Sequence, residues 1–157
     1  MTRPSRQIRV REITGDPAAL PAAMNPVLSR VLLGRGVTTE AELSLGLRDM
    51  QGPAALQGID QAAGMLADAV CNDRKILIVG DFDADGATGT ALAVLSLQAM
   101  GATRVDFRVP NRFEFGYGLT PALVDTFSTD PPDVLVTVDS GISCIEGVEK
   151  ARGLGCE

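Results

Sequence analysis

The sequence has no histidine and no tryptophan, only 4% aromatic residues, and no long apolar run. Each absence closes a class of function. Without histidine, these residues hold no Ser/His/Asp or Cys/His nucleophile system, no histidine-ligated zinc and not the commonest general base. Any chemistry here runs on carboxylates. The apolar stretch from Ala91 to Leu97 is far shorter than a membrane span. The N-terminus carries Arg3, Arg6, Arg9 and Arg11 but no apolar segment of the kind a secretory signal needs, so the cytoplasm is the expected location. Those arginines read as a solvated face, with nucleic-acid contact as the alternative. Cys71, Cys144 and Cys156 are odd in number and share no C-x-x-C spacing. They read as small buried thiols in a reducing compartment. The formal charge of −6 lacks the basic excess of a chain-wide nucleic-acid surface, leaving only local patches for that purpose.

What is present suits one ordinary domain. The chain has 157 residues, 45% of them hydrophobic and 22% charged, close to the globular average. With few aromatics and 17 glycines, the core must be built from Leu, Val, Ile and Ala. That composition fits helices packed on a parallel sheet.

Residues 1–58 read as a small helical preamble. Asn25-Pro26 predicts an N-cap and first-turn proline for a helix over Val27, Leu28, Val31 and Leu32, stopped by Gly34 and Gly36. Thr39 to Glu42 is a capping box that should open a second short helix through Leu47, and LRDMQGPAALQG reads as a connecting loop. From residue 59 to residue 157 the pattern changes. An amphipathic helix over Ala63, Leu66, Ala67 and Val70 ends at Asn72-Asp73. ILIVG (76–80), VDFRV (105–109) and DVLVTV (133–138) read as strands. They alternate with helices over Ala91–Met100, Ala122–Phe127 and Ile145–Arg152. This is an α/β pattern: a parallel sheet of three βα units. The closing Gly153-Leu154-Gly155-Cys156 resembles a helix stop leading into a further strand.

In such sheets ligands bind beyond the carboxyl ends of the strands, at the switch point of the strand order. Asp81, Asp83 and Asp85 follow the first strand, and Asp139 follows the third. In a 2-1-3 strand order all four would converge on one crevice, where cations must offset their repulsion. Oxygen ligands without His or Cys favour Mg²⁺ or Mn²⁺. Competing readings are weaker. Helix capping by Asp85 or Thr88 needs fewer acids than are present. An EF-hand loop would want Glu where Leu92 stands. A haloacid-dehalogenase-type nucleophile loop would want Thr or Val at Ala87. A receiver domain, the non-enzymatic alternative, would leave the helical preamble and the long Asp81–Asp139 separation unexplained. Neither a Walker-type phosphate loop nor a dinucleotide fingerprint occurs. Between the acid sites, Arg108 and Arg112 bring positive charge suited to a phosphate ester, and Gly116 and Gly118 permit close backbone approach. Of Phe113, Phe115 and Tyr117, at least two are expected to pack under that loop.

Three segments, IVGDFDADGATGTA, VPNRFEFGYGL and LVTVDSGIS, follow a helical preamble ending in LRDM. Together they resemble the N-terminal part of the bacterial RecJ-type single-strand-specific exonucleases, within the DHH phosphoesterase superfamily. The resemblance runs from Asn25 to Glu157. It implies a Rossmann-like domain and a 5′ to 3′ exonuclease that degrades single-stranded DNA to mononucleotides in recombination and repair, with a two-metal Mn²⁺ or Mg²⁺ centre. On that resemblance Asp83, Asp85 and Asp139 are metal ligands, and Asp81 is the other acidic position of the first motif. Arg112, Gly116, Tyr117 and Gly118 match the family's substrate-binding loop. Phe115 stands where Glu is usual, and Ser140 where Asn is usual. The histidine-bearing DHH motif would fall just past Glu157, so the chain is expected to be a truncated part of such a nuclease, inactive alone. Related enzymes acting on short oligoribonucleotides or cyclic dinucleotides, and a scaffold without turnover, are the alternatives.

Overall fold

A computed structural model describes Glu12, Ile13 and residues 15–157; the arginines at 3, 6, 9 and 11 lie outside the described residues. The chain divides into two compact units, one ending at Ala55 and one running from Leu56 to Glu157.

In the first unit, α1 (Pro26–Leu33) starts as its sequence predicts. The Asn25 side chain accepts from Val27 N at 2.9 Å, and Pro26 occupies a position where no amide partner is needed. Leu20 and Leu33 are buried in this unit. The second expected helix does not develop. Glu42 accepts from Thr39 N at 2.9 Å, yet only a single 3₁₀ turn, Glu40–Leu43, forms before Ser44 becomes extended. The Ser44 hydroxyl then donates to Asp49 at 2.6 Å and draws the chain into another turn at Leu47–Asp49. A side-chain bond that competes with helical bonding ends the helix before Leu47. The expected loop also holds a further turn, Pro53–Ala55.

The second unit contains α2 (Ile59–Cys71), β1 (Ile76–Val79), α3 (Ala84–Ala99), β2 (Val105–Arg108), α4 (Arg112–Phe115), α5 (Pro121–Asp125), β3 (Val134–Thr137) and α6 (Ile145–Gly153). The strands are parallel in the order β2-β1-β3. Alternation along β1 builds two cores. Ile76 and Ile78 pack with Ala69, Leu97 and Ala102 from the α2 and α3 side. Leu77 and Val79 pack with Leu119, Leu123, Val124 and Ala151 from the α5 and α6 side. A central strand covered on both faces must be apolar throughout, which explains ILIV.

Val79 is in register with Arg108 on one side and Thr137 on the other, so the three strands end at one level. The segments that leave the strand ends start from the same sheet edge. At Glu157 the main chain donates to Asp133 O at 3.0 Å and accepts from Leu135 N at 2.9 Å, a parallel-ladder pattern along β3.

Helical boundaries in this unit differ from expectation at several places; α5, for one, ends at Asp125 rather than Phe127. α3 begins at Ala84 rather than Ala91, because Asp83 caps it and Gly86 can enter its first turn. α4 is a single turn where the sequence reads as a loop, capped by Asn111, whose side chain accepts from Phe113 N at 3.0 Å.

Candidate metal centre

Asp81 follows β1 after Gly80, at the point where α3 crosses closest to the sheet. A Cβ on Gly80 would meet Thr90 Oγ1 at 2.0 Å, and one on Gly86 would meet Asp81 Cβ at 2.7 Å. Only glycine at both places lets the helix start directly over the strand end. This close approach leaves Asp81 3% exposed. Its two carboxylate oxygens accept from Phe82 N at 2.8 Å and from Arg112 Nη2 at 2.6 Å. Burial pushes the Asp81 carboxyl up, but the Arg112 and Phe82 hydrogen bonds and the guanidinium charge outweigh it and hold the pKa below its ordinary value. Asp81 is therefore a carboxylate at neutral pH.

Asp83 caps α3, its Oδ1 accepting from Gly86 N at 3.1 Å, and its Oδ2 lies 3.9 Å from Arg112 Nη2. Asp139 enters from the turn after β3 with φ at 58°, in the left-handed region. One oxygen from each of Asp81, Asp83 and Asp139 lies within 4.8 Å of the others. These three meet, whereas the family resemblance points to Asp83, Asp85 and Asp139. Asp85 is not among them because the helix has already begun: it sits in the first turn of α3, where a carboxylate favours the positive end of the helix dipole.

Arg112 is the cation of the crevice. Its guanidinium stacks on Phe82 at 4.0 Å and on Tyr117 at 5.0 Å. The Tyr117 hydroxyl donates to Asp139 O at 2.6 Å. Burial, followed by the charges of Asp139 and Asp81, raises the Tyr117 pKa above its ordinary value. Gly116 and Gly118 have φ of 80° and 71°. A Cβ on Gly118 would meet Cys144 Sγ at 2.8 Å. Arg108 turns instead to Asp106, at 3.2 Å. Of the three loop rings only Phe115 packs on the core; Phe113 is fully exposed and Tyr117 half-exposed, so the expectation of two packed rings is not met. Ser140 Oγ is buried without a hydrogen-bond partner among the described residues.

Sequence reasoning missed the Arg112–Asp81 pair and the part played by Phe82. Asn111 ahead of four non-glycine residues was the available sign of α4. No local pattern could have paired two residues so far apart in the chain.

The donor set fits a hard divalent cation. A carboxylate offers about four acceptor sites; the named protein bonds use two on Asp81 and one on Asp83. Three carboxylates facing one guanidinium leave a negative excess that Mn²⁺ or Mg²⁺ would neutralise.

The chain is similar to RecJ proteins over nearly its whole length. The single-stranded-DNA-specific exonuclease RecJ of Escherichia coli (strain K12) is 45% identical over 149 residues, covering 95% of this chain and 26% of that protein. RecJ of Bacillus subtilis (strain 168) is 32% identical over 138 residues, covering 85% of this chain and 17% of its relative. The chain thus spans about a quarter or less of the length of these curated relatives. A crystal structure of exonuclease RecJ bound to manganese superposes with a TM-score of 0.62 at 35% identity, over 69% of this chain and 28% of that one. RecJ from Thermus thermophilus in complex with Mn²⁺ gives 0.56 at 29% identity, over 89% of this chain and 19% of that one. Residues 75–157, from the start of the central strand onward, match the N-terminal domain of the DHH family, and the chain belongs to that family.

Proposed function

We propose that these residues form part of a metal-dependent exonuclease that hydrolyses phosphodiester bonds of single-stranded DNA from the 5′ end. The observation that carries the proposal is the meeting of Asp81, Asp83 and Asp139 beside Arg112 at the carboxyl edge of the sheet. When bound, a divalent ion supplies Lewis acidity to phosphoryl oxygens and lowers the pKa of water at the site. The residues of this chain do the rest. Asp83 and Asp139 would hold the ion, with Asp81 offering its remaining lone pairs. Arg112 keeps Asp81 ionised and has further N–H groups for a phosphate oxygen, since a guanidinium carries five donors. Gly116 lets the loop backbone approach the substrate. Asp85, two residues from Asp83, is a candidate ligand for a second ion. The similarity to RecJ proteins favours DNA over short oligoribonucleotides or cyclic dinucleotides as the substrate. Three free cysteines support action in a reducing compartment, the cytoplasm.

A chimaera tests this reading. Placed in the E. coli protein in exchange for the matching quarter, these residues should support Mn²⁺-dependent release of mononucleotides from labelled single-stranded DNA. A chimaera that melts cooperatively yet leaves DNA intact, beside an active parent, would count against the assignment.

A further inference from the structure

We propose that Tyr117 is a positioning residue of the carboxylate centre. Its hydroxyl donates to the main-chain carbonyl of Asp139 at 2.6 Å and holds a left-handed backbone that aims the Asp139 carboxylate at Asp81 and Asp83. The proposal deepens the metal-dependent reading and rests on it.

Asp139 is one of two non-glycine residues with positive φ among those described. The other, Asp73, lies in the turn that closes α2, where such a conformation is common. Asp139 has no helix end to explain it. Val134 and Val136 on β3, and Val138 just past its end, face the α2 and α3 side, and Leu135 faces the other. A residue 139 in extended conformation would continue that alternation on the Leu135 side of the sheet. The left-handed turn breaks the alternation. Such a backbone is strained for an L-residue, less so for Asp than for most, and something must retain it.

Tyr117 is placed to do so by packing rather than by a ligand. Gly116 and Gly118 flank it with positive φ, and a Cβ at Gly118 would lie 2.8 Å from Cys144 Sγ and 3.2 Å from Ser140 Cβ. The loop is thus seated on the residues that follow Asp139. A tyrosine hydroxyl has one proton to donate, and here it goes to the Asp139 carbonyl. Tyr117 accordingly acts on the metal centre through Asp139. In the same loop Arg112 holds Asp81, so one segment after β2 fixes an acid just beyond the end of each of the other two strands.

Tyr117→Phe separates the roles, because it keeps the ring beside Arg112 and removes only the donor. Mn²⁺ alone is the probe, titrated into the 157-residue chain and followed by the paramagnetic resonance signal of the free ion. The expected result is a retained cooperative fold, melting at most a few degrees lower for the lost hydrogen bond, with Mn²⁺ affinity weakened by about tenfold, the scale seen when a partner that orients a metal ligand is lost. Equal Mn²⁺ affinity in the two proteins overturns the positioning role while leaving the metal reading in place. No Mn²⁺ uptake by the unsubstituted chain overturns both. Should Tyr117→Phe fail to fold, the unsubstituted chain supplies a second measurement: Tyr117 is its one tyrosine and it has no tryptophan, so ultraviolet emission reports on this ring alone. Bound Mn²⁺ should quench that emission and Mg²⁺ should reverse the quenching by competition. Emission that ignores Mn²⁺ while the resonance signal shows binding overturns the proposal.

Discussion

Arg112 Nη2 lies 2.6 Å from Asp81 Oδ2, joining a half-buried guanidinium to a carboxylate on a residue that is 3% exposed. The pair links the one-turn helix after β2 to the end of β1, and its aromatic neighbour Phe82 lies 4.0 Å from the guanidinium. Arg112 is therefore a structural partner of the site as well as a candidate for substrate. Arg112→Ala would leave Asp81 buried and unpaired. The Arg112 side chain is 38% exposed, which reduces the penalty below that of a fully buried pair, to about 1–3 kcal/mol. Chemical denaturation at neutral pH should show that loss, with Arg112→Lys intermediate. Equal stability of Arg112→Ala and the parent would show that the carboxylate gains nothing from its partner.

Tyr117 gives a pH-dependent signature. Burial and the neighbouring acids raise its folded pKa above the unfolded value. A group raised in this way contributes stability that is fully present below the unfolded pKa, about 10, and is lost as pH rises through the folded pKa. Near-ultraviolet absorbance of this one tyrosine should titrate at higher pH in the folded chain than in urea. Coincident titration curves would mean that neither burial nor the neighbouring acids act on the ring.

The sheet was legible in the sequence because its physics is local. A strand buried on both faces has to be apolar, as ILIV is; α2 was legible as a helix from its spacing, but of the expected stripe Ala63 and Ala67 are exposed, Leu66 and Val70 are half-buried, and the buried residue is Ala69. A 2-1-3 order was the condition under which the acids would share one crevice, and the structure has that order. The start of α3 was hidden because Gly86, Thr88 and Gly89 lack both propensity and period, while the helix is set by the Asp83 cap and by contact with β1. Cys71 reads in sequence as a buried thiol and is exposed, unlike Cys144 and Cys156. Its place at the last residue of α2, beyond the buried Ala69, leaves it outside the packed stripe. Which acids meet depended on a helix boundary and a left-handed residue, neither of which spacing encodes.

Two glycine substitutions should move stability in opposite directions. Gly86→Ala would place a Cβ 2.7 Å from Asp81 Cβ and 2.8 Å from its carbonyl oxygen, both on rigid backbone or close to it. The start of α3 must then shift from β1, at about 1–3 kcal/mol. Gly64 lies inside α2 with nothing within 4 Å of the added carbon, so Gly64→Ala should stabilise by about 0.4–1 kcal/mol. Thermal melts of both variants check the pair. A harmless Gly86→Ala would mean that the helix start does not need its close seat on the strand.

The carboxylates can be ranked by the same geometry. Asp83 and Asp139 belong to the group whose oxygens lie within 4.8 Å, and Asp85 does not, although spacing alone makes Asp83 and Asp85 equivalent. Losing a ligand removes one of very few anionic contacts to a hard cation, whereas for the ion held by that group losing the first-turn acid Asp85 removes no contact, only a helix-dipole interaction worth about 0.3–1 kcal/mol. Calorimetric titration with Mn²⁺ should therefore show binding reduced below detection for Asp83→Ala and Asp139→Ala, and within about a few-fold of the parent for Asp85→Ala, since that energy corresponds to little more than that. Asp83→Asn should separate two contributions of its own residue, because the amide oxygen can still cap α3 through Gly86 N while the charge is gone. A stable Asp83→Asn protein with impaired Mn²⁺ binding assigns the charge to the ion and the cap to the fold. If Asp85→Ala abolishes binding and Asp139→Ala spares it, the centre is built around the helix start rather than across β1 and β3, and the three-acid cluster is not where the cation sits.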